Sequence, residues 1–397
     1  MQDDLRDKLV ELLSEPLEQV KGRERNEFDQ RIGETKRLLL FGAGKLGRRA
    51  LSVMRESGLA PDGFIDNNAA LWGSRIDGLE VASPSVAAGR FDVRETAVVT
   101  TIWCGEASDK MSDRIKPLHT LGFKHVALFG HLAWKHPELF LPHYSLDLPS
   151  RAMEQSARIL RAFDLFQDRS SREIFLSHVE WRLHLDYDAL PVPVTETIYF
   201  NKKVIRPSST EFFVDGGAFD GDTVKSFLDT YGKNGFHKVI SFEPDPLNFP
   251  KLQSYVMSLP RETAKKIIVY PCALGEVSSR ILVESSGGSS SRVGHGHHEV
   301  ACHTIDEFAD DAASPSFIKL DIEGFEIQAL KGARHTIKEK APVLSVCAYH
   351  VQNHLWELPL LIHEMRPDYQ YRYVPHLSDG WDLVLYAAPP DRIVDSF

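Results

Sequence analysis

The sequence predicts an α/β protein with two Rossmann-like units in tandem: a small N-terminal α/β domain, then a larger one whose seven-stranded sheet ends in an antiparallel hairpin. Three observations predict it. Apolar runs alternate with amphipathic helical stretches from residue 36 onward, the pattern of βαβ units around a parallel sheet. Two of those runs open into glycine-rich turns followed by a helical pattern, FGAGKLG at 41–47 and VDGGAFDGDT at 214–223. The last two runs are joined by PHLSDGWD at 375–382, a turn with no room for a helix, so they pair antiparallel.

Residues 1–35 read as polar amphipathic helices, with Leu5, Leu9, Leu12 and Leu13 at helical spacing. They suit the cap of a domain or a self-association surface, and a homo-oligomer is one expectation. Residues 36–135 then read as strand, glycine turn and helix (RLLLFGAGKLGRRAL), a short strand (PDGFIDNN), and a turn into a helix (VASPSVAA). A strand (TAVVTTIW), a helix (MSDRIKPLHTLG) and a last strand (HVALF) follow. Gly42, Gly44 and Gly47 form G-x-G-x-x-G, and Asp66 lies 19 residues past Gly47 at the end of the second strand. In dinucleotide-binding folds a carboxylate there bonds the ribose hydroxyls. Close strand–helix packing is the competing reason for these glycines. Lys45 adds a possible phosphate contact. With the GFIDNN stretch, this unit resembles the small Rossmann domain at the front of some sugar-modifying enzymes, including sialic-acid-type acetyltransferases. The glycine motif reads as a nucleotide or nucleotide-sugar site, while the resemblance leaves three roles open: presenting a substrate, helping to dimerise, or a vestigial unit. Residues 136–205 read as a helical connector, with helical patterns at 151–184 broken by Pro191 and Pro193.

The second domain, 206–390, has candidate strands at 212–215, 238–243, 267–271, 317–321, 343–349, 369–374 and 383–387, with helical patterns between most of them. Five parallel strands with a terminal antiparallel hairpin is the plan of the class I methyltransferase sheet. Its glycine turn differs from the first in charge. Asp215, Asp220 and Asp222 crowd it, which disfavours a pyrophosphate and favours a ligand with cationic and hydroxyl-rich parts. S-adenosylmethionine, with a sulfonium, an ammonium and a ribose diol, is such a ligand. Glu243 ends the second strand 22 residues after Gly221, placed to accept both ribose hydroxyls. Asp245 reaches the ligand or caps the next helix. Small residues at Cys272 and Ala273, after the third strand, suit the flank of a flat adenine. Asp321 and Glu323 stand at the carboxyl end of the fourth strand.

The set VDGGAFDGDT, FEPDP, CALG, HTIDEF and KLDIEGFEIQALKGA resembles the FkbM family of S-adenosylmethionine-dependent methyltransferases over about 195–390. One position departs from the family pattern: Asp220 stands where the G-A-N-x-G turn usually has Asn. YHVQNHLWELPLLI, with the strand pair ending DLVLYA, resembles a subgroup with longer chains. The resemblance implies a class I fold, S-adenosylmethionine as donor, and an oxygen acceptor on a sugar, polyketide or similar molecule. Carried over, Asp215, Gly217, Asp220, Gly221 and Thr223 line the methionine end, Glu243 holds the ribose, and Cys272 and Ala273 lie near adenine.

A hydroxyl acceptor needs a base within hydrogen-bond reach of its proton. The candidates are Asp321, Glu323 and His350, the last following the fifth strand. Asp321 and Glu323 face the same way only if the chain turns at Ile322, which Gly324 permits. The loop with His295, His297, His298, Cys302 and His303 is rich in ligand types but matches no standard zinc spacing, so no metal is expected. A net charge of −10 argues against nucleic acid as a partner. No apolar run reaches the roughly 18 residues of a membrane span. The charged start, MQDDLRDKLVELL, lacks a signal-peptide core, so the expected location is the cytoplasm and the four cysteines are expected to be reduced. Two rival readings remain. An NAD-dependent nucleotide-sugar oxidoreductase would use Gly42, Gly44, Gly47 and Asp66, though no hydride-transfer constellation accompanies them. A non-catalytic binding protein on a methyltransferase fold is the other.

Overall fold

The computed structural model describes residues 4–103, 110–233, 235–285, 292–293, 296–309 and 314–394. The chain forms two compact units. Unit 1 comprises Met1–Ser156, Leu176–Pro193 and Leu377–Trp381; unit 2 comprises Ala157–Phe175, Val194–His376 and Asp382–Phe397. The segment read as a connector, 136–205, is therefore divided between them.

Unit 1 holds a six-stranded sheet. Its strands are β1 (Arg37–Phe41), β2 (Gly63–Ile65), β3 (Arg75–Ile76), β4 (Leu79–Ala82), β5 (Thr96–Thr100) and β6 (His125–Leu128), in the order β3-β4-β2-β1-β5-β6. All pairs are parallel except the β3–β4 hairpin. β1 is buried on both faces because successive side chains alternate between two cores. Leu38 and Leu40 pack with Ala50, Leu51 and Met54 of the helix Lys45–Glu56, while Leu39 and Phe41 pack on the other side with Leu118 and Phe123. The stretch VASPSVAA holds β4 before its helix, which begins at Ser83 with the hydroxyl accepting from Val86 N–H. The short hairpin was not foreseen, since two-residue β3 carries no periodicity. Within unit 1, Asp379 of the 377–381 loop forms a buried ion pair with Arg114 at 2.5 Å.

Unit 2 holds a seven-stranded sheet. Its strands are β7 (Glu211–Gly216), β8 (Phe236–Phe242), β9 (Ile267–Tyr270), β14 (Phe317–Leu320), β15 (Val343–Cys347), β16 (Gln370–Pro375) and β17 (Leu383–Ala388), in the order β16-β17-β15-β14-β7-β8-β9. β17 runs antiparallel to both its neighbours and the other pairs are parallel. β7 lies between β14 and β8, and all six of its residues are buried, as its unbroken apolar run requires. The helix Asp222–Tyr231 buries Val224, Phe227 and Leu228, and the Phe227 ring stacks on Phe213 with centroids 4.7 Å apart. A separate four-stranded sheet holds β10 (Cys272–Leu274), β11 (Ser279–Glu284), β12 (Arg292–Val293) and β13 (His298–His303), and β13 takes in His298, Cys302 and His303 of the stretch expected to be a loop, whose His295 lies outside the described residues. No helix among the described residues is long and apolar enough to cross a membrane.

Candidate active site

β8, β7, β14 and β15 are successive parallel strands, so their carboxyl ends lie along one sheet edge. Open α/β sheets build their sites at that edge.

The turn after β7 is held from within. A Cβ at Gly217 (φ +77) would stand 1.8 Å from the Asp321 carbonyl oxygen, so only glycine fits there. Beneath the turn, Lys319 of β14 is fully buried; its Nζ donates to Gly216 O at 3.0 Å and Gly217 O at 2.6 Å and stands 3.2 Å from Asp215 Oδ1. Lys319 and Asp215 are register partners across β14 and β7. Asp215, expected to line the methionine end, is 0% exposed and turned inward to this lysine. In that placement its carboxylate is the lysine's counter-ion. Burial pushes the Asp215 carboxyl up to about 6 against the pull of Lys319. Burial likewise pushes the Lys319 amine down, but Asp215 and Asp321 outweigh it, and the ammonium is held protonated. Asp222 remains exposed and Asp220 half-buried. Asp220 Oδ1 accepts from Asp222 N–H at 3.3 Å, and Thr223 N–H donates to Asp222 Oδ1 at 2.6 Å. Gly221, with φ +100, starts the helix.

Glu243 follows β8 and reaches back to the turn. Its Oε2 accepts from Phe219 N–H at 2.8 Å and its Oε1 from Asp245 N–H at 2.9 Å. Burial pushes this carboxyl up to about 7, with the two N–H groups opposing. A carboxylate has about four acceptor positions, so capacity is left for a ligand's hydroxyls. Asp245 is 0% exposed, and its Oδ1 accepts from Leu247 N–H at 2.7 Å and Ser285 Oγ at 2.8 Å in the turn ahead of the helix Phe249–Ser258. Cys272 and Ala273 are buried in β10 against β13, and burial pushes the Cys272 thiol up to about 12.

The chain turns after Asp321, with Glu323 at φ +54 and Gly324 at φ +104. That turn brings Asp321 and Glu323 to one imidazole: His350 Nε2 lies 3.3 Å from Asp321 Oδ1 and 3.8 Å from Glu323 Oε1. The other ring nitrogen, Nδ1, is 2.8 Å from Oε1 of Glu326, a fully buried residue that the sequence reading passed over. Glu326 also accepts from Ile322 N–H at 2.9 Å and stands 3.3 Å from His354 Nδ1. Burial would push the His350 imidazole down, but Glu326, Glu323 and Asp321 outweigh it and hold it up at about 10. Burial would raise the Glu326 carboxyl, and the two histidines bring it down to about 2. The upward direction of the imidazole disfavours His350 among the three candidate bases, since a protonated imidazole has no lone pair to receive a proton. Asp321, another of the three candidates, is bonded by two phenols. Tyr199 Oη donates to its Oδ2 at 2.7 Å, and Tyr349 Oη donates to its Oδ1 at 3.5 Å. Asp382 stands behind, its carboxyl pushed up to about 6 by burial and by Asp321, with Tyr349 bonding it in opposition.

Linkage sets the pH dependence of the His350–Glu326 pair. The raised imidazole contributes stability in full below its ordinary 6.5 and loses it as pH rises through about 10. The lowered carboxyl contributes in full above its ordinary 4.5 and loses that as pH falls through about 2. Replacing one member of a buried pair costs about 3 kcal/mol or more. Glu326→Gln is thus expected to lower the thermal midpoint most between those two ordinary values, with the gap to wild type narrowing towards alkaline pH. A constant gap from pH 5 to 10 would contradict the pair.

In unit 1 the glycines after β1 and Asp66 after β2 also meet at one sheet edge. Asp66 Oδ2 accepts from Ala43 N–H and Oδ1 from Asn68 N–H, each at 2.7 Å. Among the described residues no group of three His, Cys, Asp or Glu side chains is arranged to hold a metal ion.

Comparison with known proteins bears on unit 2 directly. Residues 215–373 match the model of the methyltransferase FkbM domain. The crystal structure of methyltransferase FkbM from Methylobacillus flagellatus KT is similar over 97% of this chain and 98% of that one, with a TM-score of 0.76 and 25% identity. Two fainter likenesses carry no argument at their TM-scores. One is RSP, a Rex-family repressor (0.21, 22% identity, 25% of this chain and 46% of that one). The other is the methyltransferase domain of bacterial CtHen1-CN (0.30, 8% identity, 46% and 91%). Comparison with curated proteins gives no match. The domain match falls on the strands and turns that build this site, and the similar structure extends along both units: residues 215–373 are similar to the methyltransferase FkbM domain, and the chain as a whole to a methyltransferase FkbM.

Proposed function

We propose that the domain at 206–390 transfers the methyl group of S-adenosylmethionine to a hydroxyl oxygen of a saccharide or related hydroxylated metabolite. The observation that carries this reading is the convergence of Asp321 with Glu243 and the acidic glycine turn at one sheet edge. Five parallel strands with β17 and β16 added as an antiparallel pair also suit the class I methyltransferase plan.

The residues fit the donor. Glu243 is placed across the turn from Gly217 with acceptor capacity left, which suits a ribose diol. Asp220, Asp222, Asp321 and Glu323 put negative charge around the turn, which suits a sulfonium and an ammonium and repels a pyrophosphate. When bound, S-adenosylmethionine supplies a methyl group on a positively charged sulfur. The chain's own task is then to position the acceptor oxygen and take its proton. Asp321 receives that proton. Tyr199 and Tyr349 orient its carboxylate, and burial keeps both phenols protonated and donating. His350 fixes the same carboxylate from the side, and Glu326 fixes His350 from behind.

Incubating the full chain with S-adenosylmethionine and a panel of mono- and oligosaccharides, read by mass spectrometry, tests the acceptor class. The expected product gains one methyl group as an ether. A methyl group found on nitrogen, or no product from any hydroxylated acceptor, would overturn the reading.

A further inference from the structure

The glycines of the unit 1 turn do not share one explanation. Gly42 has φ +114, and a Cβ there would meet Ile102 at 2.7 Å; a Cβ at Gly47 would stand 1.9 Å from Gly42 O. Both are glycine because the protein leaves no room. Gly44 is different. Its φ is −75, a conformation open to any residue, and a Cβ there would meet nothing within 4 Å. It is exposed and occupies the N-cap of the 12-residue helix Lys45–Glu56, with no side chain capping the free N–H groups. Ser, Asp or Asn at that position would cap the helix somewhat better than glycine does, at no steric cost. The internal structure gives no reason for a bare backbone at this point.

The surroundings supply one. The turn lies between the carboxyl ends of β1 and β5, where the strand order reverses direction, the place where doubly wound sheets bind ligands. Thr100, paired with Phe41 at that same edge, has a buried hydroxyl without a hydrogen-bond partner among the described residues. Lys45 is exposed at the helix start, which suits phosphate. Asp66 is held against the turn as Glu243 is held in unit 2, by one N–H of the turn and one from two residues further on. Beyond it, Trp72 is 47% exposed yet pinned, its indole N–H donating to Asp66 O at 2.7 Å. A fixed, exposed indole beside a ribose-reading carboxylate is a stacking surface for a base.

We propose that unit 1 binds a ribonucleoside diphosphate moiety, with its phosphates over Gly44 and the helix N-terminus, its ribose on Asp66 and its base against Trp72. The site is separate from the methyl-donor site of unit 2. Isothermal titration of the full chain with ADP, UDP and NAD+ tests it and separates the adenine and uracil sources. At least one of the three is expected to bind. Gly44→Asp is expected to weaken that binding by at least about tenfold while leaving the thermal midpoint unchanged or raised, because the new carboxylate caps the helix and repels phosphate. Asp66→Asn is expected to weaken it as well. No binding by any of the three at about 1 mM, roughly the weak limit of specific association, overturns the proposal. So does binding that Gly44→Asp leaves unchanged. S-adenosylmethionine titrated into the same variant reads unit 2 separately, so failure here and failure of the methyltransferase reading are distinguishable.

Discussion

Replacing Lys319 by methionine is expected to destabilise unit 2 by about 3–5 kcal/mol, the cost of breaking a buried ion pair from one side. The substitution keeps the length of the side chain, so the loss is electrostatic. It leaves Asp215 buried without its counter-ion and the carbonyls of Gly216 and Gly217 without a donor. The loss is expected to depend on pH in a defined direction. Burial pushes the Asp215 carboxyl up to about 6, against an ordinary 3.8, with Lys319 opposing, so without the lysine it rises further. A raised carboxyl favours the folded state most when protonated, so the deficit of the variant shrinks in acid and is full at neutral pH. Denaturant unfolding at pH 5 and pH 8 checks both parts. An equal deficit at the two values would show that the lysine acts by packing alone.

Replacing Asp321 by asparagine is expected to lower turnover by about a hundred- to ten-thousandfold, the usual worth of a positioned proton acceptor. Binding of S-adenosylmethionine should fall far less than turnover, because on the proposed mechanism the ribose is held by Glu243 and Asp220, Asp222 and Glu323 keep negative charge around the turn. The amide keeps the size of the carboxylate and can still accept from Tyr199, so the site is expected to keep its shape. Single-turnover rates with a methylated acceptor as readout separate the two steps. Turnover within a few-fold of wild type would assign the proton to another group, and Glu323, on the same turn, is the next in reach.

The parts of the fold that were legible in the sequence are those with local signals. β7 was readable because a strand buried on both faces has no alternation, and the pairing of β16 with β17 was readable from the short turn between them. The turn at Ile322–Gly324, needed to bring Asp321 and Glu323 together, was readable from its glycine. What escaped depends on partners far apart in the chain. Lys319 sits in FIKL, an apolar run in a strand buried on both sides, and such a lysine requires a buried carboxylate; its partner is 104 positions away at Asp215. The same pairing explains why Asp215 does not face the ligand edge. Glu326 was visible only as one more acidic residue in a motif, yet its two histidines and the Ile322 N–H make it the anchor of the site. An isolated imidazole titrates near neutrality, and nothing local in the sequence shows the three carboxylates that hold His350 above it. The β10–β13 sheet was missed because glycine and serine dominate the stretch around it.

The central claim is that the acidic glycine turn and Glu243 hold S-adenosylmethionine. Titration calorimetry of the full chain with that molecule, wild type against Glu243→Ala, tests it most directly. The account predicts binding of one molecule per chain and at least about a tenfold loss in the variant, since two hydrogen bonds from the ribose to a buried carboxylate are worth about 1.5–3 kcal/mol each. No binding by the wild-type chain, or equal binding by the two proteins, would contradict it.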